Sequence, residues 1–235
     1  MVNNYKISTP FFEFGPKAYL YGEELLELMK KIDGFAQKYD MDVIADVQTT
    51  DLRLIAENTS DRIHVYSQHM DSIPMGKGMG KSLPEGIKAA GAVGVMLNHA
   101  ERKLTIEEIE KAIKRADEMG LATMVCADSV EEVKAIAKLG PNILVAEPSE
   151  LIGTGKPADK EYVDEVIKVI REINPDIKPF PSAGISKGED CYNIIKAGAS
   201  ASGCSSAIAK AEDPLKLAEE MISAVRRAYD ERQGK

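Results

Sequence analysis

Short runs of apolar and β-branched residues alternate with longer amphipathic segments along nearly the whole chain. The short runs have the length and composition of buried β-strands, whereas apolar residues in the longer segments recur with the helical period. Repeated alternation of this kind predicts parallel strands joined by crossover helices. The predicted strands are residues 11–14, 43–45, 64–67, 94–97, 122–126, 143–146, 179–181 and, as the weakest run, 199–204.

The segments between these runs carry helix-start signals. Several begin at a residue whose side chain can accept a hydrogen bond from the first helical turn. Thr105 with Glu108, and Ser129 with Glu132, have the spacing of a capping box. The predicted helices begin near Gly22, Thr50, Leu83, Thr105, Ser129, Asp159, Gly188 and Asp213.

Eight strand–helix units within 235 residues, with no Gly/Ser-rich linker between them, predict a closed (β/α)8 barrel that forms one domain over residues 1–235. An open doubly wound sheet is the alternative topology. No Gly-x-Gly-x-x-Gly segment opens a helix after the first strand, which argues against a dinucleotide site. The run from Gly76 to Gly80 follows the third strand and is better interpreted as a loop or subunit contact than as a phosphate loop.

Composition narrows the class of function. With 44% hydrophobic and 29% charged residues the chain resembles a soluble globular protein, and its net charge of -8 argues against nucleic-acid binding. We expect no membrane span and, because residues 1–15 lack the pattern of a secretory leader, a cytoplasmic protein. Cys126, Cys191 and Cys204 have unrelated spacings, so neither disulfides nor a metal site is predicted.

Catalytic groups of (β/α)8 barrels come from the carboxyl ends of the strands and from the loops that follow them. This rule selects polar and charged residues at the ends of the predicted strands. They are Lys17, Gln68, His69, Asn98, His99, Cys126, Glu147, Ser182, Ser205 and Ser206.

Three of these candidates have properties that suit proton transfer, although each also has an ordinary structural reading. Glu147 ends an apolar strand below a glycine-containing loop, where loss of water would make its carboxylate a stronger base. His99 begins a helical connection, where a neutral imidazole could polarise a carbonyl. Lys17 directly follows the first strand and could neutralise an anion. Position alone leaves open whether they are instead a surface-loop carboxylate, a loop-capping histidine and a solvated lysine.

Several segments, taken in order, resemble the triosephosphate isomerase family, and most of all its short archaeal members. They are Lys-Ala-Tyr from Lys17, Gln-His-Met-Asp from Gln68, Gly-Ala-Val-Gly from Gly91, Leu-Asn-His-Ala-Glu up to Glu101, Ala-Glu-Pro around Glu147, Glu-Leu-Ile-Gly-Thr-Gly up to Gly155, and Ala-Gly-Ile-Ser from Ala183. The likeness covers nearly the whole chain. It implies a TIM barrel and an aldose–ketose isomerase that interconverts dihydroxyacetone phosphate and glyceraldehyde 3-phosphate, without a metal or organic cofactor.

The resemblance also implies a role for each matching residue. Glu147 matches the family's general base, His99 its neutral electrophile, Lys17 its electrostatic lysine, and Glu101 a carboxylate near that lysine. This family is the usual illustration of a Glu base paired with a neutral His under a water-excluding loop, so the mechanism comes with the resemblance. Substrate and phosphate contacts are implied for Gly153, Thr154 and Gly155 in the mobile loop, and for Ser182, Ala183, Gly184, Ser205 and Ser206 in the loops after the last two strands.

Departures from the family pattern concern the substrate-contacting loops. Gly15 stands where the family has an active-site asparagine, Ala207 replaces a glycine, and Ser182 lies in a strand-end turn that usually holds a smaller residue. These changes leave open an isomerase of a related phosphosugar, such as a tetrulose phosphate, and also a barrel that binds a phosphometabolite without catalysis. The resemblance further implies a dimer or tetramer, although Met79 replaces a threonine in the loop that usually makes the subunit contact.

Overall fold

The computed structural model describes residues 5–235, so the first four residues of the segment used to judge a leader lie outside the described residues. The strands are β1 (Phe11–Phe14), β2 (Asp42–Val47), β3 (Ile63–Ser67), β4 (Gly94–Leu97), β5 (Ala122–Ala127), β6 (Ile143–Ala146), β7 (Lys178–Pro181) and β8 (Ala201–Cys204). The helices are α1 (Gly22–Lys38), α2 (Leu52–Ala56), α3 (Pro84–Ala89), α4 (Ile106–Met119), α5 (Val130–Ala137), α6 (Lys160–Ile173), α7 (Gly188–Ala197), α8 (Ser206–Ala209) and α9 (Pro214–Arg232).

All strand pairs are parallel, and the hydrogen-bonded order runs from β7 through β6 to β1 and then to β8. The eight strands form a nearly closed barrel with alternating helices, which confirms the predicted fold class. The sequence pattern located every strand, with shifts of one or two residues at some ends. The short helix α8 directly after β8 was not predicted.

The weakest joint of the barrel lies between β7 and β8. Lys178 donates its amide to Asn142 O at 3.0 Å and Ser182 donates its amide to Ala146 O at 2.9 Å, so this set of amides faces β6. Because successive amides of a strand point to opposite sides, Pro179 and Pro181 face β8 with no N–H to donate. A backbone bond from Ser200 N to Pro179 O at 2.9 Å links this part of the chain to β7.

Side-chain alternation along the strands separates two cores. Outward residues such as Phe12 and Phe14 pack under the helices, whereas Phe11, Ile44, Met124 and other inward residues fill the lower barrel. The same alternation turns the inward positions nearer the carboxyl ends toward the barrel mouth. Strand geometry thereby decides which polar side chains reach the cavity there.

Helix starts follow the predicted capping signals with one correction. Thr105 and Glu108 form a complete capping box at α4. At α5 the Ser129 side chain accepts from Glu132 N, but the predicted box is only half formed. The Glu132 carboxylate instead accepts from Asp128 N at 2.6 Å and from Asn98 Nδ2 at 2.9 Å. Glu132 is therefore used to hold the loops after β4 and β5.

Within residues 5–235 no helix is both long and apolar enough to cross a membrane. The same part of the chain contains no cluster of three or more His, Cys, Asp or Glu side chains that could hold a metal ion.

Candidate active site

A cavity of about 640 Å³ opens at the carboxyl ends of the strands. Its volume is in the range of sites for small molecules. Residues from β1, β2, β4, β6, β7 and β8 and from the loops after them line it, and they include every proposed catalytic residue.

Lys17 is held at the mouth by an unusual backbone and by two neighbours. Its φ of 51° lies in the left-handed region, which costs a residue with a side chain some free energy. Gln68 Nε2 donates to Lys17 O at 3.1 Å and to Asp46 O at 3.0 Å, which ties the loop after β1 to the end of β2. Lys17 Nζ lies 2.6 Å from Glu101 Oε1. The structure thus brings the predicted Lys17 and Glu101 together.

His99 has a defined tautomer when neutral. Glu101 N donates to His99 Nδ1 at 3.1 Å, so the ring proton of the neutral form sits on Nε2. Burial lowers the pKa of His99, and the charge of Lys17 lowers it further, which favours the neutral imidazole. Its Nε2 lies 3.8 Å from Glu147 Oε2.

Asn98 supports the connection that carries His99. Its φ of 59° is also left-handed. The buried side chain donates from Nδ2 to Cys126 O at 2.9 Å and accepts at Oδ1 from Leu104 N at 2.9 Å. Asn98 was one of the candidates at the strand ends. In the structure it holds the loop after β4 and does not line the cavity.

Glu147 extends the inward alternation of β6 beyond Val145. Its amide donates to Ala127 O at 2.8 Å, and Pro148 and the 3-10 turn Ser149–Leu151 follow it directly. Burial raises the pKa of the Glu147 carboxyl, whereas the charge of Lys17 opposes that rise and the charge of Glu101 adds to it. The carboxyl is therefore a stronger base than an exposed glutamate.

Backbone amides from two loops, those after β6 and β7, also border the cavity. Among the described residues, the amides of Gly153, Gly155, Ala183 and Gly184 make no hydrogen bond, and Gly153, Gly155 and Gly184 have positive φ. Thr154 closes its own turn by donating from Oγ1 to Leu151 O at 2.8 Å. Unpaired amides around a concave surface are suited to an anion.

Ser182 and Ser205 contribute to this part of the cavity in different ways. The amide of Ser182 is already bound to Ala146 O, so only its hydroxyl can serve a ligand. The hydroxyl of Ser205 is buried, lines the cavity and has no partner within the described chain. Ser206 and Ala207 complete this wall.

Comparison with known proteins identifies the family to which this site belongs. The family model described as triosephosphate isomerase matches residues 15–219. The chain belongs to the triosephosphate isomerase family. It is accordingly an aldose–ketose isomerase.

Similar proteins span almost the full chain. A triosephosphate isomerase from Sulfurisphaera tokodaii is 38% identical over 94% of this chain and 97% of the relative. One from Methanobacterium bryantii is 37% identical over 92% of this chain and 97% of the relative, and one from Methanosarcina barkeri is 36% identical over 91% and 97%. These matches confirm the resemblance to archaeal members of the family.

At Gly15, where the family has an asparagine, the space for a side chain is taken by the carboxyl group of Glu13. A Cβ added at Gly15 would lie 2.6 Å from Glu13 Oε1 and 3.5 Å from Asp46 Oδ2. The Glu13 carboxyl therefore fills space that a side chain at position 15 would need. Sequence reasoning missed Glu13 and Asp46, although an acidic residue inside the buried run Phe-Phe-Glu-Phe is a usable signal.

Other strand-end candidates have structural roles. His69 lines the cavity, but its Nε2 lies 3.6 Å from Asp71 Oδ1, and Gln68 holds the Lys17 backbone. Burial raises the pKa of the Cys126 thiol well above its usual value, so it is not an activated nucleophile.

Proposed function

We propose that this protein interconverts dihydroxyacetone phosphate and glyceraldehyde 3-phosphate, with Glu147 as the base that moves a proton between adjacent carbons. The observation that carries the proposal is the meeting of Glu147, His99 and Lys17 around one cavity that is also lined by the unpaired amides after β6 and β7. The relatives described above are named triosephosphate isomerase, which supports the same substrate pair.

Proton transfer would use both residues of the facing pair. The Glu147 carboxylate would take a proton from the carbon next to the carbonyl, and the electron pair of that C–H bond would form an enediolate. Nε2–H of His99 would donate to the developing oxyanion, which requires the neutral tautomer set by the Glu101 amide. The hydroxyl proton must also pass from the oxygen of the first carbon to that of the second, and His99 Nε2 would carry it by giving its own proton to the second oxygen and taking one from the first. Return of the proton from Glu147 to the neighbouring carbon then completes the isomerisation, with no net oxidant or reductant.

Charge near the oxyanion would be balanced by Lys17. Its ammonium is fixed by Glu101 and its side chain is only 21% exposed, so little reorganisation is needed when negative charge develops. Glu101 would therefore act by positioning Lys17 and by directing the His99 tautomer.

The phosphate would bind at the loops after β6, β7 and β8. We assign its contacts to the amides of Gly153, Gly155, Ala183 and Gly184 and to the hydroxyls of Ser182, Ser205 and Ser206. Thr154 would hold the shape of the flap. Anion binding by backbone amides does not need a basic protein, which is consistent with the net charge of -8.

A coupled isomerase assay tests the proposal. Glu147→Gln keeps the size of the side chain but removes the base, so kcat with glyceraldehyde 3-phosphate should fall by about 10²- to 10⁴-fold. Glu107→Gln, the same change at an exposed position on α4, should leave kcat unchanged. Activity that survives Glu147→Gln would contradict the assignment of the base. Wild-type protein inactive with both triose and tetrulose phosphates would favour the non-catalytic alternative.

We further propose that residues 1–235 act as one domain and that the chain self-associates as a dimer or tetramer. Support for self-association comes from the exposed methionines of residues 71–82, because Met75 is 72% exposed and Met79 is fully exposed. We also propose that the protein is cytoplasmic and that it works without a cofactor, as its sequence and its resemblance to the family imply.

A further inference from the structure

Two buried carboxyl groups in the cavity floor take no part in the mechanism above. Glu13 projects inward from β1 and Asp46 from β2, with relative exposures of 7% and 3%. Both line the cavity. Burying a carboxyl group in a protein costs free energy unless a partner or a proton compensates it.

Neither carboxyl group has a hydrogen-bond partner among the described residues. Asp46 Oδ1 in particular is fully buried and unpaired. Buried polar atoms without partners are rare in folded proteins, and carboxyl groups of this kind on residues that line a cavity point to a ligand that supplies a hydrogen bond.

The Glu13 carboxyl fills space that two glycines leave free. A Cβ at Gly15 would lie 2.6 Å from Oε1, and a Cβ at Gly203 would lie 2.7 Å from Oε2. The missing Cβ at Gly15 leaves room for this carboxyl, whereas at Gly203 a Cβ would also collide with the Glu13 backbone oxygen, so the close approach of β1 and β8 requires glycine there. The floor is therefore built around Glu13.

Local charge narrows the kind of ligand. Lys17 lies close enough for its positive charge to act on both carboxyls, where it partly opposes the effect of burial, and that charge disfavours a bound cation. The carboxyls themselves disfavour an anion. Burial raises both pKa values well above their usual range, so these groups can donate as well as accept a hydrogen bond. A hydroxyl group matches that combination.

We propose that Glu13 and Asp46 form a hydroxyl-binding subsite that lets the same site accept, besides the triose phosphates, a phosphosugar with one carbon more. With the phosphate held at the ends of β6, β7 and β8, a hydroxymethyl group beyond the two reacting carbons would reach the floor at β1 and β2. The proposal rests on the isomerase function and adds to that same site a second substrate class, a four-carbon ketose 1-phosphate. Moving its carbonyl from C2 to C3, with the proton of C3 returned to C2 and the hydroxyl proton passed between the two oxygens, gives the ketose 4-phosphate with no net oxidant or reductant.

Comparison of three substrates tests this subsite. The probes are glyceraldehyde 3-phosphate, a tetrulose 1-phosphate, and its 4-deoxy analogue with a methyl group in place of the hydroxymethyl group. Isomerisation is followed by ³¹P NMR. For the wild-type protein we expect kcat/KM to be about 10- to 100-fold higher with the tetrulose phosphate than with the 4-deoxy analogue, because the analogue leaves the floor carboxyls unpaired.

Variants that keep the size of each side chain but remove its carboxyl group test whether Glu13 and Asp46 cause the preference for the hydroxylated substrate. Glu13→Gln and Asp46→Asn should each reduce that preference about tenfold or more, while kcat/KM with the 4-deoxy analogue changes less than about threefold. Glu107→Gln, which makes the same chemical change on the surface, should keep the wild-type preference. A loss of activity shared equally by both four-carbon substrates would show a merely structural role and overturn the proposal.

The outcomes also separate this proposal from the isomerase function. If the wild-type protein isomerises glyceraldehyde 3-phosphate but shows no preference for the hydroxylated tetrulose, the subsite is wrong and the isomerase function stands. If it isomerises none of the three substrates, the proposed function itself fails.

Discussion

Glu147 and His99 face each other across 3.8 Å, and burial shifts their pKa values in opposite directions. The carboxyl pKa rises because ionisation becomes harder, and the imidazole pKa falls for the same reason. Above both pKa values, Glu147 is a carboxylate that can act as a base while His99 is a neutral imidazole. One nonpolar environment serves two different roles.

These shifts predict how activity depends on pH. kcat/KM should rise with pH as Glu147 ionises, with a midpoint above the usual range for glutamate, and the lowered pKa of His99 adds no further loss at neutral pH. The negative charge of Glu101 raises the pKa of both groups, so Glu101→Gln should move the acid limb to lower pH. The measurement is a pH profile of kcat/KM for each protein.

The substrate phosphate ionises near pH 6 and contributes equally to every profile, so the difference between profiles reports the enzyme. Glu107→Gln is the matched control and should leave the limb in place. An acid limb that stays fixed or moves upward in Glu101→Gln would contradict the assigned electrostatics.

The conformation of single residues shows what the sequence could not provide. The motifs marked Lys17, His99 and Glu147 as candidates, and the structure brings them to one cavity. Nothing in the pattern indicated that Lys17 and Asn98 adopt left-handed backbone conformations, because tertiary contacts through Gln68 and Cys126 hold them there. Nor could spacing show which ring nitrogen of His99 accepts the Glu101 amide.

At the scale of elements, periodicity located all eight strands because buried parallel strands are short and almost wholly apolar. The same rule concealed Glu13 and Asp46. In the sequence, Glu13 only interrupts an apolar run. Its place became visible when β1 paired with β8, which sets the carboxyl beside Gly203. The two prolines of β7 were visible in sequence, but their effect on the β7–β8 joint needed the register.

Strand β1 carries a test of this packing. Gly15→Asn restores the family's residue but brings its Cβ within 2.6 Å of Glu13 Oε1, so the buried Glu13 side chain must shift to make room. We expect a loss of about 1–3 kcal/mol in the free energy of unfolding. Glu13→Ala should remove the clash, so the double variant should lose at least about 1 kcal/mol less than the two single losses together.

Urea unfolding at one protein concentration measures this cycle. Gly34→Asn in α1 is the control, because an added Cβ there meets nothing within 4 Å, and its effect should be additive with Glu13→Ala. Additivity between Gly15→Asn and Glu13→Ala would mean that the two positions do not compete for space.

At the scale of the whole molecule, the loop of residues 71–82 projects as an ordered unit. Asp71 N donates to Ser82 O at 2.9 Å, and Ser82 N donates to the Asp71 side chain at 2.7 Å, which closes the base of the loop. Met75 and Met79 lie between these two residues in the loop; Met75 is 72% exposed and Met79 is fully exposed. Exposed apolar side chains on a fixed loop mark a contact surface.

We therefore expect an oligomer at micromolar concentration, with a mass by light scattering of at least twice the 25.6 kDa of one chain. Replacing Met75 and Met79 together by serine should shift the mass toward the monomer, because the contact loses its buried apolar area. Ile173→Ser, a similar change at the end of α6, should leave the mass unchanged. A wild-type monomer would contradict self-association. An oligomer that keeps its mass after the methionine changes would place the contact elsewhere, since the loop would then contribute nothing to it.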